Sequence, residues 1–371
     1  MINTDQKNNA SSLHTDSLGA GYGKKVIVDG ITISISSGEI CTLIGPNGAG
    51  KSTVLKTIAG QLPAASGKVF LCGDELTGLK EKDVARRLSV MLTGRLITDR
   101  MTCFDVAATG RYPYTGTFGI LSDHDRKIVY DALTLTGADH LCDTDFNRIS
   151  DGQRQLVMLA RAIAQEPDIM LLDEPTSFLD TGHKLHLLTL LRRLAKERNI
   201  AVVQSLHELD LAQKFSDSVL CIHNGKAERY GTPEEIFSGD YIDTLYEIKD
   251  GRYNWYFGAA EPFGGKGEPE VFVIGGGGAG IPVYRRLYRE GIPFAAGVIH
   301  ENDVEYPVAS ALASVVISEK AFEPVSDEAV SRAIAVMEKC REVICSAEYF
   351  GIMNAGNLKL KEKAGLILKS D

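Results

Sequence analysis

Short apolar runs recur along the chain, and most are followed by a turn and then a helical stripe. Ile40 to Ile44 has the length of a buried strand, and Val54, Leu55, Ile58 and Ala59 then share one helical face. Upstream, Val26, Val28, Ile31, Ile33 and Ile35 alternate with small or polar residues, the period of a half-buried, edge-like strand. Ser66-Gly67 opens another short strand, Lys68 to Cys72. Residues 80–165 turn polar and mostly helical, a subdomain inserted before the next buried strand, Ile169 to Leu172. A Leu-rich helix (Leu187, Leu188, Leu191, Leu194) leads to the strand Ile200 to Ser205. Val219 to Tyr230 reads as a hairpin around Asn224-Gly225, a two-residue turn signal. Thr232-Pro233-Glu234-Glu235 opens a helix with a capping box and Pro at its first position.

After residue 256 the pattern breaks. Residues 257–270 are rich in Gly, Pro and Glu and read as a linker. A second α/β pattern follows, with strands at Val271 to Ile274, Val298-Ile299, Val315 to Ile317 and Val343 to Cys345, and a helix presenting Val330, Ile334 and Met337 on one face. The predicted organisation is a polar, disordered lead-in over 1–16, an α/β domain over 17–256, the linker, and a small doubly wound domain over 271–371. A length of 371 residues fits roughly two domains. The net charge of −9 disfavours a nucleic-acid partner. No run approaches the roughly 18 apolar residues of a membrane span, so any spanning part belongs to another chain. Seven scattered cysteines without a C-x-x-C pair suit a reducing cytosol.

Candidate chemistry clusters at strand ends. Gly45-Pro46-Asn47-Gly48-Ala49-Gly50-Lys51-Ser52 fits G-x-x-x-x-G-K-[ST] between a strand and a helix; its alternative is a chance Gly-rich turn. Such a loop aims N–H groups at a polyphosphate, Lys51 reaches the outer phosphates, and Ser52 holds a magnesium ion. Ser150-Asp151-Gly152-Gln153 precedes an amphipathic helix, where it either caps the helix or leaves N–H groups for a phosphate. Four apolar residues end in Asp173-Glu174, and two adjacent carboxylates persist at a buried strand end when a metal and a water partner them. Asp173 then faces magnesium and Glu174 orients or deprotonates the attacking water; an exposed strand end is the alternative. His207 ends a predicted central strand, where open α/β sheets place ligand groups. Tyr22, among glycines, stacks on a nucleotide base or is an ordinary exposed loop tyrosine.

Taken in order, residues 17 to about 245 resemble the nucleotide-binding subunit of an ATP-binding-cassette (ABC) transporter. Tyr22 matches the adenine-stacking aromatic, Gly45 to Ser52 with Thr53 the Walker A loop, and Ser150 to Gln153 the signature motif. Asp173-Glu174 matches Walker B, Ser177-Phe178-Leu179-Asp180 the D-loop, and His207 the switch histidine. The resemblance implies a phosphate-loop ATPase fold with antiparallel β and helical subdomains, ATP and Mg2+ as ligands, and a head-to-tail homodimer. It further implies integral-membrane permease subunits, an extracytoplasmic solute-binding protein in the same system, and a place on the cytoplasmic face of the membrane. Each ATP would lie between one subunit's phosphate loop and the other's Ser150 to Gln153, with Asp180 beside it. Two departures stand out. Asp151 replaces the family's Gly, and its carboxylate repels a nearby phosphate unless it turns away, as it would in capping its own helix. Thr93 stands where the family has the Q-loop Gln, and its hydroxyl is the remaining candidate for the metal. Gly110-Arg111-Tyr112-Pro113-Tyr114 resembles a segment of subunits that energise import of iron-siderophores, haem and cobalamin, or is a helix end with a Pro stop.

In the last third, Gly275 to Gly280 satisfies G-x-G-x-x-G between strand and helix, and Glu301 lies about 20 residues on, where a ribose-binding acid sits. The expectation is a Rossmann-like regulatory domain with a nucleotide or dinucleotide ligand; a docking domain without a ligand and an independent dehydrogenase are the alternatives. For the whole chain the alternatives are a cassette ATPase acting on nucleic acid or ribosomes, and an ATPase fused to a metabolite-binding enzyme domain.

Overall fold

The computed structural model describes residues 11–23, 25–92, 98, 100–116 and 118–367. It divides into two units, one running through Tyr241 and the other from Ile242. The division therefore falls ahead of the boundary expected at residue 256.

The first unit is built on one sheet. Its strands are β1 (Leu13–Tyr22), β2 (Lys25–Ile35), β3 (Ile40–Ile44), β4 (Ser66–Leu71), β5 (Asp74–Glu75), β6 (Leu88–Met91), β7 (Ile169–Asp173), β8 (Ala201–Ser205), β9 (Ser218–His223) and β10 (Lys226–Gly231). They lie in the order β5-β4-β1-β2-β10-β9-β3-β8-β7-β6. The β9-β3-β8-β7-β6 half is parallel, and the β5-β4-β1-β2 half is antiparallel. The parallel strands β3, β7 and β8 are buried along their whole length, as their near-continuous apolar sequences require. In β2, Ile31, Ile33 and Ile35 face the core while Thr32 and Ser34 face solvent. Asn224 and Gly225 both take positive φ in the β9–β10 turn, as the Asn-Gly pair predicts.

The helices are α1 (Lys51–Ile58), α2 (Glu81–Arg87), α3 (Cys103–Ala108), α4 (Asp123–Leu135), α5 (Asp151–Ala164), α6 (Thr181–Arg198), α7 (Leu209–Phe215), α8 (Pro233–Phe237) and α9 (Tyr241–Leu245). α3, α4 and α5 pack on one another as the inserted helical subdomain. One expectation needs correction. Residues 13–16, assigned to a disordered lead-in, form the start of β1. Thr15 is fully buried there; its hydroxyl donates to the Ile31 carbonyl and accepts from the Ile33 N–H, so a polar side chain holds a core position.

The second unit begins within α9, and its first strands form the hairpin β11 (Gly251–Asn254) and β12 (Ala259–Pro262). This corrects the assignment of 257–270 as a plain linker. Then come β13 (Val271–Ile274), α10 (Ile281–Glu290), β14 (Phe294–His300), α11 (Tyr306–Leu312), β15 (Val315–Glu319), α12 (Asp327–Met337), β16 (Glu342–Cys345) and α13 (Gly356–Ile367). The sheet order β15-β14-β13-β16 is parallel throughout. It is the order with which a doubly wound fold begins. Phe272 and Ile274 pack with α12 and α13 residues, while Val271 and Val273 pack with α10 and α11 residues, so alternate side chains of β13 feed two cores.

Candidate active site

The phosphate loop leaves β3 at Gly45. That residue has φ 146°, and a Cβ there would stand 2.1 Å from the Ile222 carbonyl oxygen, so only glycine fits. Gly50 closes the loop in the left-handed region and begins α1 with no side-chain cap. The first N–H groups of α1 thus meet no capping side chain, which suits an anion. Lys51 is buried, and its ammonium donates to the carbonyls of Gly45 (2.7 Å) and Pro46 (3.1 Å). Burial holds it below the ordinary lysine range, an effect that Glu174 and Asp173 oppose through their charge. Among the described residues no carboxylate is hydrogen-bonded to this ammonium, and a cation held so at a helix N-terminus is matched to a polyphosphate.

Beside the loop, β7 delivers Asp173 and Glu174. Asp173 is buried and accepts from the Ser205 hydroxyl at 2.7 Å. The same hydroxyl accepts the Glu174 N–H at 2.9 Å. Glu174 takes φ 50°, a left-handed turn unusual for a non-glycine, and this re-aims its side chain after the strand. Its carboxylate meets His207 Nε2 at 2.6 Å and the Ser177 hydroxyl at 3.1 Å, and Gln155 Nε2 donates to its carbonyl at 3.0 Å.

Tyr22, Ile27, Asn47, Gly48, Gly50, Lys51, Ser52, Thr53, Glu174 and His207 line one cleft of about 510 Å³. Tyr22 is half exposed at its rim. The cleft joins residues from β1, the phosphate loop, the end of β7 and the end of β8. Ser150 to Gln153 and Asp180 are not among its lining residues. Ser150 caps α5, and Gln153 completes a capping box with it (3.0 and 3.3 Å). Asp151 does not cap the helix; Arg154 takes its carboxylate at 2.7 Å, while also donating to the Asn147 and Phe146 carbonyls. Asp180 caps α6 by accepting from the His183 N–H, which with the His183 ring holds its carboxyl below the ordinary range. Thr93 lies outside the described residues.

Sequence reasoning overlooked Ser205, Gln155 and Ile27. Ser205 had a readable signal, since it ends the strand that leads to His207. The contacts of Gln155 and Ile27 are tertiary and have none. The Gly110 to Tyr114 segment is a packing device. Arg111 is buried and ties Asp125, the Ala164 carbonyl and Glu166 together, and its guanidinium lies 4.1 Å from the centre of the Tyr114 ring.

In the second unit, the Gly277 N–H donates to Asp303 Oδ2 at 2.7 Å and the Gly280 N–H to Glu305 Oε2 at 2.7 Å. Glu301 is exposed, and its N–H donates to the Glu319 carbonyl.

A parallel sheet bearing a phosphate loop, with a carboxylate pair ending the second strand from it, defines the first unit as a phosphate-loop ATPase. Residues 28–177 match the family described as ABC transporter, and residues 294–369 match one described as MJ0874 family. The chain is 45% identical over 281 residues to ABC transporter ATP-binding protein MJ0873 of Methanocaldococcus jannaschii, covering 75% of this chain and 96% of that one. It is 38% identical over 238 residues to the iron(3+)-hydroxamate import ATP-binding protein FhuC of Bacillus subtilis, covering 64% and 88%. Among solved structures, an inward-facing putative metal-chelate type ABC transporter aligns with TM-score 0.56 and 27% identity, over 63% of this chain and 88% of that one. The chain belongs to the family of ABC transporter ATP-binding subunits, which bind and hydrolyse ATP. Among the described residues, no helix is long and apolar enough to cross a membrane.

Proposed function

We propose that the chain is the ATP-hydrolysing subunit of an importer that carries a metal chelate of the iron-siderophore, haem or cobalamin class through separate membrane permease subunits, fed by an extracytoplasmic binding protein. The observation that carries the reading is the single cleft in which Lys51, Ser52, Glu174 and His207 converge. The likeness to the iron-hydroxamate subunit, over 88% of that protein, supports the substrate class. In this reading the N–H groups of Gly48 to Lys51 and the Lys51 ammonium bind the β- and γ-phosphates, and Tyr22 stacks on the base. The Ser52 hydroxyl and the Asp173 carboxylate are hard oxygen donors, a set that fits Mg2+. When bound, Mg2+ neutralises developing phosphate charge. Glu174 takes a proton from the attacking water, and His207, bonded to its carboxylate, fixes that oxygen's direction. In a deletion strain given labelled ferric siderophore, haem and cobalamin, uptake of one class should be lost. The wild-type gene should restore it and Lys51→Ala should not. Normal uptake of all three would end the assignment.

Two copies in head-to-tail contact would bring Ser150 to Gln153 to the partner's γ-phosphate. Asp151 then carries its charge toward ATP unless Arg154 retains it. Arg154→Ala should raise the KM for ATP on the order of tenfold. Adding Asp151→Gly should return KM toward the wild-type value, although the loop contacts of Arg154 stay lost. ATPase titrations of the two single variants and the double variant measure this; equal KM values in Arg154→Ala and the double variant would contradict the role.

A further inference from the structure

The glycine-rich loop of the second unit has the spacing of a dinucleotide site, yet its own chain fills it. We infer that Asp303 and Glu305 are the permanent occupants of this loop, and that the second unit takes no dinucleotide there. Three observations carry this. First, two of the loop's N–H donors are already taken by carboxylates: Asp303 accepts from Gly277 N–H, and Glu305 accepts from Gly280 N–H and from the Tyr284 hydroxyl at 2.9 Å. Asp303 also accepts the Glu305 N–H at 3.0 Å, which locks the two carboxylates into one turn. Second, the outer glycines answer to internal packing. A Cβ on Gly275 would stand 2.0 Å from Glu305 Oε1, and one on Gly280 would stand 2.5 Å from the Tyr284 ring carbon Cζ. The pattern is therefore required with no ligand in view. Third, charge opposes a pyrophosphate. It would arrive beside two carboxylates, and displacing Glu305, which is fully buried, would strand an unpaired acid. Burial raises the Glu305 carboxyl above its ordinary range against the pull of the Gly280 N–H and the Tyr284 hydroxyl, consistent with a group shielded from water. The acid expected to hold a ribose, Glu301, is exposed and takes no part.

The test uses the full chain with its cassette filled by excess MgADP. Calorimetric titration with NADH and with inorganic pyrophosphate should give no saturable heat up to millimolar concentration; saturable binding of either overturns the inference. The occupant role is read separately. Trp255 is the sole tryptophan and lies in the second unit, so its fluorescence reports that unit's unfolding. Glu305→Ala should lower the midpoint by about 4 °C or more, while Glu305→Gln, which keeps an acceptor for the Gly280 N–H, should stay close to wild type. Should the alanine variant not fold, Tyr284→Phe removes one donor only and should lower the midpoint less. An unchanged midpoint in the folded variant overturns the role.

Discussion

Glu174→Gln should lower ATP turnover by roughly 10²- to 10⁴-fold, the range that a positioned general base contributes, while leaving ATP binding intact. Glutamine keeps the shape of the side chain and still offers one polar atom to each neighbour, His207 Nε2 and the Ser177 hydroxyl, which lie 2.6 and 3.1 Å from the two separate oxygens of the native carboxylate. It loses the proton affinity. The backbone of residue 174 is held independently of the carboxylate, by the Ser205 hydroxyl on its N–H and Gln155 on its carbonyl, so the left-handed turn survives. With MgATP, the variant should then accumulate as a dimer that gel filtration resolves from the apo protein, and ATP should be recovered unhydrolysed from the peak. Lys51→Ala in the same background should abolish that peak, because the ammonium bonded to the loop carbonyls is the group offered to the phosphates. A turnover rate equal to wild type would remove Glu174 from the chemistry. A loss of turnover without a dimer peak would retain the base and remove the shared nucleotide.

The cassette was legible because its chemistry is written in local grammar. Gly45 to Ser52 follow an all-buried strand and begin a helix, Asp173-Glu174 end another, and His207 follows a third, so each group could be placed at the same edge of a parallel sheet. Position along a strand was enough to anticipate convergence. Segments whose structure depends on distant partners were not legible. Residues 13–16 look polar and unstructured until Thr15 is seen satisfied inside the core by β2. The Gly- and Pro-rich stretch after residue 256 hides β12, which exists because β11 pairs with it. The second glycine-rich loop misled for a related reason. Chain separation pointed to Glu301, but the register of β14 and its following turn brings Asp303 and Glu305 to the loop instead. A motif gives the backbone's shape, and only the fold says what fills it.

Arg111 is where truncation should cost the most stability. It is buried at the end of α3's following turn, and its guanidinium bonds Asp125 at 2.9 Å, the Ala164 carbonyl at 2.8 Å and Glu166 at 2.8 Å. Those partners belong to α4, the end of α5 and the turn after it, so one side chain joins three pieces of the helical subdomain. Arg111→Ala leaves Asp125 charged and shielded from water without its cation, a change that costs about 3–5 kcal/mol. For a unit of this size that is a fall in Tm of roughly 6–20 °C. Arg111→Lys should recover only part of it, since one ammonium does not span three acceptors in a fixed plane. The pH dependence follows from Asp125, whose carboxyl the Ser122 hydroxyl and then Arg111 hold below the ordinary aspartate range. A depressed folded-state pKa gives stability that is present above the unfolded value and lost as pH falls through the folded one. The gap in Tm between wild type and Arg111→Ala should therefore be full near neutral pH and narrow on acidification, as wild type loses what the variant already lacks. Scanning calorimetry of both proteins from neutral pH downward measures that gap. A gap that stays constant across the aspartate range would mean that Arg111 acts through the Ala164 carbonyl and its packing on Tyr114, and not through Asp125.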